Sequence, residues 1–264
     1  DYLSGVSLGR VTYETFPLTA ENDFLPDLDA IPEETARRAK FIYINYPNNP
    51  TGAVATKAFY EKLVAWAKTY EVGVVSDLAY GALGYQGYEN PSFLSTPGAK
   101  DVGIEFYTFS KTFNMAGWRL AFAAGNEQMI EALNLIQDHL FVGIFPALQE
   151  AGIAALLDPK SEEAVAQLNA TYDGRRDAFV QAAAKIGWQA FPSRGSFYAW
   201  MPVPEGDTSE SFADLLLEKA HVAVAPGKGF GPAGDAYVRI GLLVEPERLV
   251  EAVNRIADLH LFNN

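Results

Sequence analysis

The sequence predicts an α/β fold with a mostly parallel sheet, followed by a smaller α+β unit, and three observations predict it. Strand-like apolar runs alternate with helix-like segments through the first 160 residues. The strand-like runs at 41–46 and 72–75 are almost continuously apolar, which is typical of parallel strands covered on both faces. After the turn Asp158–Ser161, one long helical pattern leads into a mixture of strands and helices. We therefore expect one domain over residues 1–160 and a second over residues 161–264.

The elements of the first domain follow from periodicity and from capping residues. Residues 1–40 carry only weak strand signals, around Gly9–Phe16, and a short helical pattern over Ile31–Ala39. Thr56 suits the cap of a helix whose apolar side chains recur at helical spacing as far as Tyr70. The other elements expected here are strands over Phe41–Tyr46, Val72–Val75, Glu105–Phe109 and Arg119–Ala124, and helices from Asn126 to about Leu140 and from Pro146 to about Leu157.

The second domain begins with the longest helical pattern of the chain, Ser161–Ile186, which Gly187 ends. Within this helix, Arg175–Arg176 is interpreted as part of a solvated face, as is Arg37–Lys40 in the first domain. The segments that follow are expected to be strands over Ser196–Met201, Val222–Ala225 and Tyr237–Leu243, and helices over Ser209–Ala220 and Pro246–His260.

Composition excludes several classes of protein. The 33 acidic residues outnumber the 20 basic ones, and the net charge of −13 argues against a broad surface for nucleic acid or anionic membranes. The absence of cysteine excludes disulfides and thiolate metal sites, and the three scattered histidines lack metal-ligand spacing, so we expect no metal. No apolar run reaches the roughly 20 residues of a membrane helix, so we expect no membrane partner.

Polar side chains follow three of the predicted strands at the point where each strand ends. Asn49 follows the first strand, Asp77 the second, and Lys111 the third. Open α/β sheets bind ligands outside the carboxyl ends of their strands. We therefore expect these three side chains to lie together in one site.

The residues around Lys111 fit a reactive amine beside a phosphate site. Hydroxyls and aromatic rings flank this lysine, and desolvation favours the neutral amine that attacks a carbonyl group. Thr108, Ser110 and Arg119 supply two hydroxyls and a guanidinium, groups that bind phosphate. A lysine that bonds a carbonyl group beside a phosphate site predicts pyridoxal 5′-phosphate (PLP) as the cofactor.

The other candidate residues each admit a simpler role. Asp77 suits a helix cap or a turn, but also a carboxylate that keeps a pyridine nitrogen protonated. Asn49 lies in an Asn-Asn-Pro turn and Tyr80 in a loop, where each is also placed to donate a hydrogen bond to the phenolic oxygen of the cofactor ring. Arg239, within an apolar strand, fits a buried ion pair, an edge position facing solvent, or a two-point clamp for a substrate carboxylate.

Four motifs follow one another along the chain: Tyr46–Gly52 (Tyr-Pro-Asn-Asn-Pro-Thr-Gly), Ser76-Asp77 with Tyr80, Ser110-Lys111, and Tyr237-Val-Arg239. Their order and approximate spacing resemble those of the fold-type I, PLP-dependent aminotransferases of class I/II, and the set is far more specific than any single motif. Four longer stretches are similar to the LL-diaminopimelate aminotransferase branch of that family: Pro91–Val102, Phe113–Arg119, Gly195–Pro204 and Phe230–Arg239.

The resemblance implies a role for each matching position. Lys111 would be the Schiff-base lysine, Asp77 the partner of the pyridine nitrogen, and Arg239 the clamp for the α-carboxylate of the substrate. The remaining matches imply contacts to the phenolic oxygen by Asn49 and Tyr80, and to the phosphate by Thr108, Ser110 and Arg119.

The resemblance also implies how much of the family's architecture is present. Asp1 and Tyr2 correspond to a point well inside the family's large domain, so we expect an N-terminally incomplete PLP-binding large domain over residues 1–160. Residues 161–264 would form the smaller C-terminal α+β domain. Since the active site in this fold type is shared across a twofold axis, the resemblance implies a homodimer. We expect the protein in the cytoplasm.

The implied activity is transfer of an amino group between an L-amino acid and a 2-oxo acid such as 2-oxoglutarate. The amino donor would be of the LL-diaminopimelate, aspartate or alanine type, with Lys111, Asp77 and Tyr80 as catalytic residues and Asn49 and Arg239 at the substrate. Two alternatives stay open. One is a PLP-dependent β-lyase (carbon–sulfur lyase), which uses the same lysine and aspartate, and the other is the aminotransferase-like sensor domain of a transcription regulator.

Overall fold

The computed structural model describes residues 2–262, which form two β-sheets surrounded by helices. Asp1 lies outside the described residues, so of the two residues at which the family resemblance begins only Tyr2 is described. The larger sheet contains, in spatial order, β1 (Phe41–Asn45), β2 (Gly73–Asp77), β3 (Gly103–Thr108) and β4 (Ala121–Gly125). The helices of this part are α1 (Tyr2–Leu8), α2 (Glu33–Arg38), α3 (Lys57–Tyr70), α4 (Ala99–Val102), α5 (Phe109–Thr112), α6 (Glu127–Leu140) and α7 (Pro146–Leu157).

A long helix, α8 (Ser161–Lys185), leads from α7 into the smaller sheet. This sheet is antiparallel, with β5 (Tyr198–Pro202), β6 (Ala225–Pro226) and β7 (Tyr237–Gly241) in the spatial order β5-β7-β6. Of the strand predicted over Val222–Ala225, only Ala225 lies in β6. The helices of this part are α9 (Ser209–Leu215) and α10 (Pro246–Ala257). Within residues 2–262, no helix is both long enough and apolar enough to cross a membrane.

The larger sheet is parallel over β1, β2 and β3, whereas β4 pairs antiparallel with β3. In the register of the parallel part, Asn45 lies beside Asp77, and Asp77 lies beside Phe106. The three parallel strands therefore end at one edge of the sheet. The predicted α/β class with a mostly parallel sheet is confirmed.

Helix α3 packs on the larger sheet and fixes one of its faces. Its predicted cap, Thr56, accepts a hydrogen bond from the backbone N–H of Phe59 (3.1 Å). Phe59 and Leu63, at helical spacing, are buried in the same core as Ile42 and Val74 of the sheet. Burial of each such side chain contributes about 1.5–3 kcal/mol, so this packing holds α3 against the sheet.

Two predictions about the fold are wrong. Among the described residues, Gly9–Phe16 forms no strand, because its backbone pairs with no neighbouring strand. Nor is the larger sheet covered on both faces throughout, since Phe41 and Tyr43 of β1 are 50% and 46% exposed and Phe122 of β4 is 43% exposed. Alternate residues of β1 face the core, while its other face borders a groove of about 800 Å³ between the sheet and α6.

The interpretation of Arg175–Arg176 as a solvated face is also wrong. Arg176 is only 6% exposed, its guanidinium pairs with Asp173 at 2.7 Å, and it lies 4.7 Å from the centroid of the Tyr85 ring. The side chain of Arg175 is 14% exposed. The reason is that this face of α8 packs on the loop after β2, a contact between segments far apart in the sequence.

Glu105, on β3, joins three parts of the structure around the larger sheet. This buried carboxylate accepts hydrogen bonds from the Ser76 hydroxyl (3.0 Å), the Ser92 hydroxyl (2.5 Å) and the backbone N–H of Phe93 (2.8 Å). Ser76 immediately precedes Asp77, and the other two residues belong to the loop between β2 and α4. Burial raises the pKa of Glu105 above its ordinary value of 4.5, and the three hydrogen bonds oppose that rise.

This raised pKa predicts a specific dependence of stability on pH. The folded protein holds the Glu105 proton more tightly than the unfolded chain, so this residue contributes most stability below pH 4.5 and loses it as the pH rises through the folded pKa. We expect Glu105→Gln to become more stable relative to the wild type, in free energy of unfolding, as the pH rises from about 4.5 through the folded pKa of Glu105. Denaturant titrations at several pH values measure it.

The matched control is Glu61→Gln, which changes an exposed carboxylate on α3. Its difference from the wild type should stay flat over the same pH range, because Glu61 is exposed on α3 and makes none of the buried contacts of Glu105. The prediction would be contradicted if the difference in free energy of unfolding from the wild type changed with pH in the same way for Glu105→Gln and Glu61→Gln.

Candidate active site

The ends of the parallel strands bring the predicted residues to one edge of the larger sheet. β1 ends at Asn45, whose register neighbour, Asp77, ends β2. Asn49 lies on the turn after β1, and Lys111 lies in α5, which begins directly after β3. Since neighbouring strands are about 4.8 Å apart, the three segments that carry these side chains converge at this edge.

Sequence reasoning does not single out Asn45, yet its side chain connects two of the candidate residues. Its Oδ1 accepts a hydrogen bond from the backbone N–H of Asn49 (2.9 Å), and its Nδ2 donates to the carbonyl oxygen of Asp77 (3.0 Å). The amide thereby fixes the turn after β1 relative to the end of β2. A polar residue closing an apolar strand is the signal in the sequence that points to it.

The carboxylate of Asp77 already accepts two hydrogen bonds. The backbone N–H of Ala79 donates to Oδ1 at 3.0 Å, and the hydroxyl of Tyr2, on α1, donates to Oδ2 at 2.6 Å. Partial desolvation, followed by the charge of Asp77, raises the pKa of Tyr2 and keeps its hydroxyl protonated. A carboxylate offers about four lone-pair directions, so Asp77 can accept a further donor. No local pattern links Tyr2 to Asp77, and sequence reasoning misses this contact.

Tyr80 forms part of the wall beside Lys111. The Lys111 Nζ lies 5.9 Å from the centroid of the Tyr80 ring and 5.7 Å from that of Phe197. Tyr80 is 5% exposed, and burial is the main cause that raises its pKa, while the positive charge of Arg239 opposes the rise. The phenol therefore stays protonated near neutral pH and can donate a hydrogen bond to a ligand oxygen.

Arg239 reaches the site from the smaller sheet. It lies on β7, and its Nη1 donates to Oδ1 of Asn49 at 2.9 Å. Because Oδ1 of Asn49 already accepts this hydrogen bond, its NH₂ group is the part of the amide that can donate a hydrogen bond to a ligand oxygen. The structure thus brings together the two residues predicted to bind substrate, although they are far apart in the sequence.

The three predicted phosphate contacts are only partly assembled. Thr108 donates to the hydroxyl of Ser110 at 3.0 Å and accepts from the backbone N–H of Ser110 at 3.2 Å, at the start of α5. Arg119 is exposed, and it donates to the carbonyl oxygen of Ala116 at 3.0 Å. The structure therefore pairs the two hydroxyls, while the guanidinium of Arg119 is engaged by its own loop.

The donor set at this edge fits PLP. Lys111 supplies the amine, Asp77 a carboxylate with room for a further donor, and Asn49 and Tyr80 two donors for a ring oxygen. The paired hydroxyls of Thr108 and Ser110 suit a phosphate.

Comparison with known proteins identifies the family. The model of the family described as aminotransferase class I and II matches residues 1–256. The L-glutamine–4-(methylsulfanyl)-2-oxobutanoate aminotransferase of Bacillus subtilis is 55% identical over 262 residues, which cover 99% of this chain and 65% of that protein. The LL-diaminopimelate aminotransferase of Moorella thermoacetica is 50% identical over 240 residues, which cover 91% of this chain and 61% of that protein.

Solved structures agree with the sequence comparisons. The substrate-bound structure of BacF from Bacillus subtilis superposes with a TM-score of 0.93 at 46% identity, over 99% of this chain and 66% of that one. The chain spans only 61 to 65% of the length of the two curated relatives above. The family uses PLP, which confirms the cofactor expected from the sequence. Because the family model covers nearly all of the sequence, the chain belongs to the aminotransferase class I and II family.

Proposed function

We propose that the protein is a PLP-dependent aminotransferase, which moves an amino group between an L-amino acid and a 2-oxo acid. The convergence of Lys111, Asp77, Tyr80 and the Asn49–Arg239 pair at one edge of the sheet carries this proposal. The set combines a reactive amine, ligands for the cofactor ring and a clamp for a carboxylate, as transamination requires. Membership of the family supports the same activity.

In this proposal each side chain at the cofactor has a separate task. Lys111 would hold PLP by bonding to its aldehyde carbon with loss of water, Asp77 would accept a hydrogen bond from the ring nitrogen, and Asn49 and Tyr80 would donate to the ring oxygen. When bound, PLP supplies an electron-accepting ring that stabilises negative charge on the α-carbon of the substrate. The phosphate is assigned to Thr108, Ser110 and Arg119.

Two residues act on the substrate itself. Arg239 binds the α-carboxylate through parallel hydrogen bonds, and Asn49, bonded to its Nη1, orients the guanidinium. Once the amino group of the substrate has replaced it at the cofactor, Lys111 as a neutral amine would take the proton from the α-carbon, and as an ammonium ion it would deliver that proton to the former aldehyde carbon of PLP. The rings of Tyr80 and Phe197 beside Nζ limit the access of water to this amine.

The names of the relatives, together with the family resemblance of the sequence, define the substrates to test. We propose amino donors of the LL-diaminopimelate, glutamine, aspartate or alanine type, with 2-oxoglutarate as one acceptor. An LL-diaminopimelate donor would place the protein in lysine biosynthesis, and amino-acid metabolism of this kind corresponds to a cytoplasmic location.

Substitution of Lys111 tests the proposed activity. We expect Lys111→Ala to lower amino-group exchange by at least about 10³-fold, because the acid–base group at the α-carbon is lost. Exchange is measured with pairs of amino and 2-oxo acids, alongside the visible absorbance of the protein supplied with PLP. Lys100→Ala, an exposed lysine ahead of β3, is the matched control and should retain exchange.

The products decide between the proposal and its alternatives. Amino-group exchange between two substrates supports the aminotransferase, whereas release of pyruvate and ammonia from one amino acid identifies a β-lyase. A protein that binds PLP but performs neither reaction points to a sensor domain. Substantial exchange by Lys111→Ala would contradict the role of this lysine.

We further propose that the protein forms a homodimer through the connection between α6 and α7. Apolar side chains are exposed along the end of α6 and the segment after it, notably Leu140 (69%), Phe141 (70%), Val142 (85%) and Phe145 (69%). A run of exposed apolar side chains of this kind is typical of an interaction surface. The dimer implied by the family resemblance gives this surface a partner, a second copy of the chain.

Sedimentation equilibrium tests the dimer. We expect the wild type to sediment at twice the mass of one chain and Phe141→Asp to shift towards the single-chain mass, because a buried unpaired carboxylate destabilises an interface. Leu217→Asp, which replaces a 54% exposed residue in the segment after α9, is the control and should remain dimeric. A wild type at single-chain mass would contradict the proposal.

The division into domains at residue 160 is likewise a proposal. A second core, formed only by residues of the C-terminal part, joins α8, α9 and α10 to the smaller sheet; it includes Phe179, Trp188, Phe212, Val238 and Ile256. A region with its own core is expected to fold by itself. We therefore expect a fragment of residues 161–264 to unfold in one cooperative thermal transition, monitored by circular dichroism, and the absence of a transition would contradict the boundary.

A further inference from the structure

Arg239, the proposed carboxylate clamp, is held by two aromatic rings. Its Cζ lies 4.2 Å from the centroid of the Tyr198 ring and 4.7 Å from that of Phe230. A guanidinium this close to an aromatic face is attracted by the ring's electron density. The two rings therefore restrict the planar group, while its Nη1 bonds to Asn49.

The position of Tyr198 on the smaller sheet explains its contact with Arg239. Trp200, on β5, lies directly opposite Arg239 on β7. Tyr198 is two residues before Trp200 on the same strand, so its side chain projects from the same face and meets Arg239 diagonally. The strand register, rather than a flexible loop, sets this contact.

Tyr198 also contacts Tyr80, the proposed ligand of the ring oxygen. The centroids of the two rings are 6.1 Å apart, at an angle of 75°. After burial, the neighbouring Tyr198 phenol is the largest cause that raises the pKa of Tyr80. Asp77 adds to this rise, Arg239 opposes it, and the Lys111 amine lies over the Tyr80 ring. One side chain thus contacts both the carboxylate clamp and the phenol beside the reactive lysine.

We propose that Tyr198 is a positioning residue that couples the carboxylate clamp at Arg239 to the hydroxyl of Tyr80. Its ring keeps the guanidinium oriented for two-point binding. Its ring also packs edge-on against the ring of Tyr80, so its hydroxyl forms part of the surroundings of the Tyr80 phenol. This inference rests on the proposed function, since it assigns Tyr198 a part in binding the same substrate and cofactor.

Phe230 provides an internal comparison. It contacts the same guanidinium, but it is 40% exposed and has no hydroxyl to offer Tyr80. Removal of the Phe230 ring therefore affects the clamp alone. Removal of the Tyr198 hydroxyl affects Tyr80 alone, and removal of the Tyr198 ring affects both.

Three variants of the protein, loaded with PLP, separate these effects. They are Tyr198→Phe, Tyr198→Leu and Phe230→Leu. Two measurements do not depend on turnover: the affinity for succinate as a non-reacting carboxylate, and the pH midpoint of the visible band of the bound cofactor. KM and kcat for an amino donor are measured alongside.

We expect Tyr198→Leu and Phe230→Leu to weaken succinate binding about fivefold or more and to raise KM, because each loses an aromatic partner of the guanidinium. Tyr198→Phe should bind succinate within about twofold of the wild type, since it keeps the ring. Its pH midpoint should nevertheless shift, whereas that of Phe230→Leu should match the wild type.

Two results would overturn the inference: an unshifted pH midpoint in Tyr198→Phe, or wild-type succinate affinity in Tyr198→Leu. Tyr198→Phe preserves shape, so it remains informative if the leucine variant fails to fold. A wild type with neither a cofactor band nor amino-group exchange would contradict the proposed function as well. A wild type that shows both, with unchanged variants, contradicts only the role of Tyr198.

Discussion

The parallel register of β1, β2 and β3 is the constraint on which the candidate site depends. It places Asn45 beside Asp77 and brings the start of α5, with Lys111, to the same edge. Strand spacing is fixed by backbone hydrogen bonds, so the separation of these segments follows from the sheet and not from their side chains. A slip of one residue would turn Asp77 to the opposite face and separate it from Asn49. Asn45 reinforces this arrangement by bonding to both segments.

The second property of the site is that polar groups lie among aromatic rings. Tyr80, Phe197 and Tyr198 pack against one another with centroids 4.9 to 6.1 Å apart, and the Lys111 amine lies over two of these rings. Burial among them keeps the Tyr80 phenol protonated, because it raises the pKa of that group. The same rings strengthen electrostatic attraction within the site, since they exclude the water that would screen it. The side chains that pack the site together therefore also determine the protonation of Tyr80 and the strength of the electrostatic interactions.

Local patterns in the sequence predict much of this arrangement, and long-range contacts account for what they miss. The apolar runs of the parallel strands and the cap at Thr56 are local signals, and both agree with the structure. Asn49, Asp77 and Lys111 become candidates in the sequence because a parallel sheet implies that strand ends meet. By contrast, the burial of Arg176 depends on a loop far away in the sequence. The hydrogen bonds from Tyr2 to Asp77 and from Ser76 to Glu105 likewise join residues that are far apart in the sequence.

The proposed clamp and the proposed cofactor ligands belong to different sheets, so the contacts between the sheets set the distance from Arg239 to the rest of the site. Gly52 adopts φ +70° and turns the chain after Asn49. The carbonyl oxygen of Gly52 then accepts hydrogen bonds from the backbone N–H groups of Arg194 and Gly195, both at 3.2 Å. The segment that begins there leads directly into Tyr198. A disturbance of this turn therefore displaces the Tyr198 ring and, with it, Arg239. It follows that a residue that touches neither substrate nor cofactor can change carboxylate binding, because it alters how the two sheets are joined.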